Sequence, residues 1–183
     1  MTLRPYAATA AVAALLLSPV VTAPAQAVPP LNVVIDDATE PTTRAFDITL
    51  VKLRTAPDTR RPAVVLVTHG RMVRPGDSID VWFDLDGDKV PDLHVSGDAF
   101  SEFTVHKTHS FTKDGKDISD QDVARLSMAR FHSKIRLFPS KVGSPVSFAV
   151  VVKSSRSDKP ARTDDWAPSN RKFSRPVLAA PLT

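Results

Sequence analysis

Residues 79–96 of this chain read IDVWFDLDGDKVPDLHVS, and this stretch decides the fold. Apolar side chains occupy every second position over residues 79–83 and again over residues 93–95, which is the two-residue period of a strand with one buried face. Gly87 and Pro91 lie between the two runs and are typical of turns. The stretch therefore predicts a β-hairpin, and its loop carries several aspartates.

Outward from this hairpin, short apolar runs alternate with turn residues. The consecutive apolar pair Leu50-Val51 indicates a bulged strand, and the unbroken apolar run at residues 63–67 predicts a strand buried on both faces or nearly so. Asp114-Gly115 has the composition of a tight hairpin turn. Further strands are predicted within residues 99–107, 133–138, 145–152 and 173–178, with a polar loop at 154–170; Val146, Phe148, Val150 and Val152 share one face.

Residues 119–131 fit either a helix or a strand. Ser119 and Asp122 have the spacing of a capping box, so we expect a short helical turn at 119–124 followed by a strand. Only Glu40 and Glu102 are glutamates among 20 acidic residues, and aspartate favours turns over helix interiors. The prediction is an all-β, antiparallel two-sheet sandwich, jelly-roll-like, with about eight or nine strands and at most one short helix.

The chain divides into four predicted segments. Residues 1–27 have the basic start, apolar run and small-residue end of a secretory signal peptide. We expect residues 28–44 to be a mobile lead-in, 45–178 the sandwich domain and 179–183 a tail. No later apolar run is long enough for a transmembrane segment, so the expected location is secreted, with cell-wall association as an option. Because the chain has no cysteine, its core rather than disulfides must stabilise it.

Asp84, Asp86, Asp88 and Asp92 are the candidate metal ligands. Calcium prefers oxygen ligands, and alternate carboxylates around a glycine supply several at short range. The spacing is not that of an EF-hand, because Lys89 stands where that motif needs glycine. Two interpretations stay open: a calcium site, or an acidic turn whose repulsion is relieved by Lys89 or by basic residues near the C-terminus.

Trp82 and Trp166 are the candidate ligand-binding aromatics. Trp82 points to the face opposite Val81 and carries Asp80 and Asp84 beside it, a composition that suits a sugar or a cationic ligand. The alternative is that Trp82 packs under the loop between residues 107 and 131 or against Trp166. The closely spaced His106 and His109 would point to opposite faces of a strand, so they can share a metal only if a turn lies between them.

Charge and motif content limit the function classes. The net charge of +4 is too small to indicate nucleic-acid binding. The chain has no G-x-S-x-G motif, no cysteine nucleophile and no glycine-rich phosphate loop, so we expect no enzyme activity. Basic residues are in excess after residue 152: Lys153, Arg156, Lys159, Arg162, Arg171, Lys172 and Arg175. Either they attract anionic envelope polymers weakly, or they belong to a solvated loop.

Four short segments carry a resemblance to a known group. They are Asp47-Ile48, Pro91-Asp92, residues 135–143 (IRLFPSKVG) and Asp165-Trp166-Ala167-Pro168. Over residues 45–178 the chain resembles small exported proteins of high-GC Gram-positive bacteria, similar in layout to DOMON and family-nine carbohydrate-binding-module sandwiches. The resemblance implies a two-sheet antiparallel sandwich and a non-catalytic role.

Two functions are therefore expected. The first is an exported, non-catalytic module with a structural or interaction role at the cell envelope or outside the cell, stabilised by calcium, whose partner is an envelope polymer or a protein. The second is a carbohydrate-binding module that uses Trp82 and Trp166.

Overall fold

The computed structural model describes residues 28–37, 46–58, 60–156 and 164–180. The predicted signal peptide, residues 1–27, lies outside these ranges. The described part is all β, apart from two short 3-10 turns at Ser119–Gln121 and Pro139–Lys141. No helix within these ranges is long and apolar enough to cross a bilayer.

Within the described residues, twelve strands, more than the eight or nine predicted, form two antiparallel sheets, which confirms the predicted β-sandwich. The first sheet has five strands in the order β1-β2-β3-β9-β8, and the second has seven, with β12 paired to β10 beside the path β11-β10-β4-β5-β6-β7. The strands are β1 Asn32–Asp36, β2 Ile48–Arg54, β3 Ala63–His69, β4 Asp77–Asp84, β5 Leu93–Asp98, β6 Phe103–Thr108, β7 Asp114–Asp117, β8 Ala124–Ala129, β9 His132–Leu137, β10 Ser147–Arg156, β11 Asp165–Ala167 and β12 Val177–Leu178.

The core lies between the sheets and is built from alternate strand positions. Ile79, Val81 and Phe83 of β4 have no exposed surface, as the two-residue period predicts. The burial predicted for residues 63–67 is complete on the core face and partial on the outer face of the five-stranded sheet, where Val64 and Leu66 are half-buried. β10 instead has both faces buried over residues 148–152, since side chains cover the outer face of its sheet as well.

The sandwich begins earlier and ends later than predicted. Residues 32–36, expected in a mobile lead-in, form edge strand β1 and pair with β2 in full register. Ala179, expected in the tail, is fully buried and donates its backbone N–H to the Val146 carbonyl. Val146 itself precedes β10 and is exposed rather than inward-facing. The polar loop predicted at 154–170 contains β11, which pairs with β10.

Local details near β7 also differ from prediction. Asp114-Gly115 is not a turn but the start of β7, where the Gly115 backbone approaches the chain closely. The capping box is absent, because Asp122 ends the 3-10 turn in the left-handed region (φ 54°) and makes no capping hydrogen bond. The short helical turn before a strand is confirmed, and so is the β2 bulge, whose register shift lies between Ile48 and Leu50.

The two sheets are joined along one side by hydrogen bonds from distant parts of the chain. The backbone N–H of Ile48 donates to Asp165 Oδ2 at 2.6 Å, and Ser154 Oγ donates to the Phe46 carbonyl at 2.6 Å. Ala56 N–H donates to the carbonyl of Ala179. Because these bonds are buried or border the core, they fix the spacing of the sheets on this side.

The close approach at Gly115 gives a stability prediction. A Cβ added at Gly115 would lie 2.5 Å from the Lys107 carbonyl oxygen, and a backbone atom cannot move away as a flexible side-chain tip can. We expect Gly115→Ala to lower the free energy of unfolding by about 1–3 kcal/mol, the usual cost of such a clash. Urea unfolding followed by fluorescence measures this.

Lys116→Ala is the matched control, since Lys116 is exposed on the same strand and should change stability by less than about 0.5 kcal/mol. Equal stability of the two variants would show that β7 adapts to the added methyl group.

Candidate functional site

The hairpin of β4 and β5 carries the candidate site in two parts. One part is the acidic loop between the strands, residues 85–92, together with Asp84 at the end of β4. The other is the outer face of the seven-stranded sheet, where Asp80 and Trp82 project away from the core. Because Asp84 belongs to the same outer face as Trp82, both parts are positioned by the alternation of one strand.

The loop brings together three of the four predicted metal ligands. Asp84, Asp86 and Asp88 each offer one carboxylate oxygen, and these oxygens lie within 4.8 Å of one another. Asp84 is buried, whereas Asp86 and Asp88 are exposed. An oxygen-only group of this kind can hold a hard cation, with backbone carbonyls or water completing the shell.

The same carboxylates also organise the loop backbone. Asp84 accepts hydrogen bonds from the N–H groups of Gly87 at 2.7 Å and Lys89 at 3.1 Å. Asp86 accepts one from Asp88, and Asp88 accepts one from Val90 at 2.7 Å. The Asp86 and Asp88 bonds, each to the N–H two residues on, are Asx-type turns. Gly87 (φ 86°) and Lys89 (φ 67°) adopt the left-handed backbone within the loop. The turn interpretation is therefore also consistent with the geometry.

Asp92 does not join the group of three. Its Oδ2 accepts the N–H of Leu85 at 2.7 Å, so it ties the end of the loop to its beginning. Burial raises the pKa of Asp92; the Leu85 hydrogen bond opposes this, and the charges of the other loop aspartates add to the rise. Among the four predicted ligands, Asp92 alone lies outside the candidate cation group, and its side chain holds the two ends of the loop together.

Basic residues surround the acidic loop without pairing to it. Lys89, Arg171 and Lys172 line a cleft of about 470 Å³ that also contains Asp84. Within the described residues, no nitrogen of these three lies within 4.0 Å of a loop carboxylate. The loop carboxylates thus accept hydrogen bonds from backbone N–H groups and keep their charge, and the basic residues act on them only at longer range.

Trp82 is packed rather than open. It is 3% exposed, stacks on His94 at a centroid distance of 4.6 Å and on Trp166 at 5.5 Å, and meets the edge of Phe111. His94 lies opposite Trp82 on β5, and Trp166 lies beyond β10 on the other side. Both predicted aromatics are therefore together, but a sugar ring has no free face of Trp82 to stack on. Half-buried Trp166 keeps some accessible surface.

A chain of four charged side chains runs beneath these aromatic rings. His94 Nδ1 contacts Asp114 Oδ1 at 2.7 Å, and His94 Nε2 contacts Asp80 Oδ1 at 3.0 Å. The other oxygen of Asp80 pairs with Lys153 Nζ at 2.9 Å, and Lys153 lies 5.6 Å from the centre of the Trp82 ring. An ionised carboxylate only accepts hydrogen bonds, so two carboxylates on the two ring nitrogens favour the imidazolium form of His94, in which both nitrogens donate.

The pKa directions agree with this assignment. Burial lowers the pKa of His94, but the hydrogen bonds and charges of Asp80 and Asp114 outweigh burial, and the pKa is raised from 6.5. Burial raises the pKa of Asp80, but His94 and Lys153 bring it down to about 2. Desolvation is thus compensated by pairing at both groups, as buried charges require.

Sequence reasoning missed His94 and Lys153 as members of this site. The alternation of β4 placed Asp80 beside Trp82, but the partners depend on register: His94 pairs opposite Trp82, and Lys153 lies opposite Asp80. The register of a hairpin follows its loop, so His94 could have been found by counting outward from a loop of known length. Lys153 arrives from a strand distant in sequence and left no local signal.

The remaining predicted features are distributed over several places. His106 lies opposite His94 on β6, and exposed His109 follows the end of that strand. In the described part of the chain, the three loop aspartates are the only group of three or more His, Cys, Asp or Glu side chains with metal-binding geometry. Of the basic residues near the C-terminus, Lys153 and Arg156 pair with Asp80 and Asp77, while Lys159 and Arg162 lie outside the described residues.

The fold and the site define an all-β sandwich with an acidic loop at one end and a buried aromatic and charged layer on one face. No protein-family model, curated protein or solved structure matches this chain. The resemblance to DOMON and family-nine carbohydrate-binding-module sandwiches therefore stays a prediction. Support for a function comes only from the residues of this chain and their geometry.

The His94 pairing predicts a dependence of stability on pH. Because the pKa of His94 is raised in the folded state, its contribution is complete below the unfolded value of 6.5 and is lost as pH rises through the folded value. We expect Asp114→Asn to lower the pKa of His94 and so to move this loss of stability to lower pH. Urea unfolding between about pH 5 and pH 9 measures the stability, and NMR titration of the His94 ring measures its pKa.

Asp98→Asn is the control, because Asp98 is exposed at the far end of β5 and makes no contact with His94. An identical pH profile for Asp114→Asn and the unmodified protein would remove Asp114 from the pairing.

Proposed function

We propose that the protein is an exported, non-catalytic β-sandwich module whose acidic hairpin loop binds calcium, with a structural or interaction role at the cell envelope or outside the cell. The observation that carries the proposal is the convergence of Asp84, Asp86 and Asp88, whose oxygens lie within 4.8 Å of one another. Export is supported by the signal-like sequence of residues 1–27.

Calcium would act on the stability of the hairpin. Asp84 is buried at the end of β4, a strand that pairs along its length with both β5 and β10, so a cation at this point would couple the loop to the centre of the sheet. Three carboxylates held this close repel one another, and a divalent cation removes that repulsion. The ligand set is small and partly exposed, which fits the weak calcium affinity of extracellular modules.

A non-catalytic role is supported by the pairing of His94 in the buried layer. His94 has the buried carboxylate neighbour of a catalytic histidine, yet both of its ring nitrogens are occupied by carboxylates, so neither can take a proton from a nucleophile. An interaction role is supported by the cleft that Lys89, Arg171 and Lys172 line next to the loop, because these three cations have no ion-pair partner among the described residues.

Thermal unfolding tests calcium binding. With a dissociation constant near those of extracellular modules, about 10 mM calcium should stabilise the native state by roughly 1–3 kcal/mol and raise Tm by several degrees relative to chelator. The Asp86→Asn/Asp88→Asn variant should lose this response while keeping its fold, because an asparagine oxygen still accepts the loop hydrogen bonds.

Asp36→Asn/Asp58→Asn is the matched control, with the same change in charge on the other sheet and its adjoining turn, and it should respond to calcium like the unmodified protein. A Tm that does not move with calcium in the unmodified protein would leave the acidic-turn interpretation.

Retention on purified peptidoglycan tests the envelope role. We expect the protein to bind at low salt and elute at high salt, and Lys89→Gln/Arg171→Gln/Lys172→Gln to bind several-fold less because the cleft loses its charge. Arg54→Gln/Lys134→Gln/Arg136→Gln removes equal charge from strands of the opposite sheet and should keep most of the retention.

Equal loss in both triple variants would mean that net charge alone drives retention. Retention on an insoluble neutral polysaccharide that resists salt would instead favour the carbohydrate-binding alternative, with Trp166 as the accessible aromatic.

A further inference from the structure

A second cleft opens between the two sheets at the end of the sandwich that carries the acidic loop. Its volume is about 590 Å³, which is within the range of small-molecule sites. Leu93 enters from the seven-stranded sheet, Ile118 precedes the 3-10 turn at Ser119–Gln121, and Val123 precedes β8 of the five-stranded sheet. These side chains are 1–3% exposed and belong to the core, so the wall of the cleft is continuous with the interior.

Three basic side chains stand at this cleft without partners. Lys107, His109 and Lys141 line it, and none of their side chains makes an ion pair or hydrogen bond within the described residues. Lys107 lies opposite Leu93 on β6 and is exposed, so its side chain stands at the open rim of the cleft. A lysine at such a position brings positive charge to an apolar wall.

The acidic residues of the cleft are already engaged. Asp86 accepts the N–H of Asp88 and belongs to the candidate cation group, and Asp92 accepts the N–H of Leu85. The charged side chains of the cleft that have neither a hydrogen bond nor an ion pair within the described residues are therefore the basic ones. An apolar wall with unpaired cations at its rim is complementary to a molecule with an apolar body and an anionic head.

We propose that this cleft binds an amphiphilic anion, a small molecule with an alkyl or aryl body and a carboxylate or phosphate head group. The apolar body lies against the half-buried wall residues Leu85, Val142 and Pro145. The head group is held by Lys107 and Lys141. Burial of the body gives most of the affinity, because apolar area removed from water is the larger favourable contribution. The two lysines decide the sign of the charge that the site accepts.

Calorimetric titration of the full chain with three amphiphiles of equal chain length tests the proposal. Dodecanoate and dodecyl phosphate carry the two anionic heads, and dodecyltrimethylammonium carries a cationic one. We expect the anions to bind saturably with one site, and the cation to bind about tenfold more weakly or worse. The titrations contain chelator, so the result does not depend on whether the acidic loop binds calcium.

Two variants locate the binding. Lys107→Gln/Lys141→Gln should weaken the anions by about tenfold without weakening the cation, because only the head-group contacts are lost. Val142→Trp places bulk in half-buried wall residue Val142 and should abolish binding of all three. Lys134→Gln/Arg136→Gln removes two charges on β9 and should leave the affinities unchanged, and Tm confirms that each variant is folded.

Each outcome decides the proposal. Binding of one anion alone supports it and identifies the head group. No saturable binding of either anion, equal affinity for the cationic amphiphile, or anion affinity that is unchanged in Lys107→Gln/Lys141→Gln would overturn it.

Discussion

The structure depends on the burial of both faces of β4. Ile79, Val81 and Phe83 face the core without exposed surface, near the centre of the seven-stranded sheet. By alternation, Asp80, Trp82 and Asp84 must then lie together on the outer face. These side chains are also buried, so each one requires a specific partner, because a buried carboxylate without one would cost several kcal/mol.

The partners of these side chains explain much of the remaining architecture. Asp80 is balanced by His94 from β5 and Lys153 from β10, the two strands that flank β4. Trp82 is covered by His94, Phe111 and Trp166, which requires the loop before β7 and the short strand β11 to fold back over the sheet. Asp84 is satisfied by backbone N–H groups of the loop that follows it. Strand pairing, loop shape and the acidic site therefore all follow from the burial of the outer face of β4.

The sequence predicted those features that depend on nearest neighbours in the chain. The hairpin, its acidic loop, the face of Trp82 and the two-sheet class all follow from alternation and turn composition. Strand β1 was missed although Val33 and Ile35 alternate correctly, because nearby prolines and aspartates are more typical of loops. The Gly115 strand was read as a turn because composition cannot distinguish a glycine that permits a left-handed turn from one that permits close approach. The pairing of Lys153 with Asp80 depends on sheet order, which local patterns do not contain.

The hydrogen bonds that join the two sheets also determine when the fold can be completed. Phe46 and Ile48 are bound by Ser154 and Asp165, residues more than a hundred positions away, at separations of 108 and 117. Such contacts carry a large loop-closure entropy, and chains dominated by them fold slowly and late. In the five-stranded sheet, three of the four pairings join strands that are consecutive in the chain and can form earlier, but β2 acquires its buried partners only when β10 and β11 dock. Closure of this sandwich is therefore a late event in folding that requires almost the whole described chain at once, and a fragment that ends before Asp165 would leave the core open along one side.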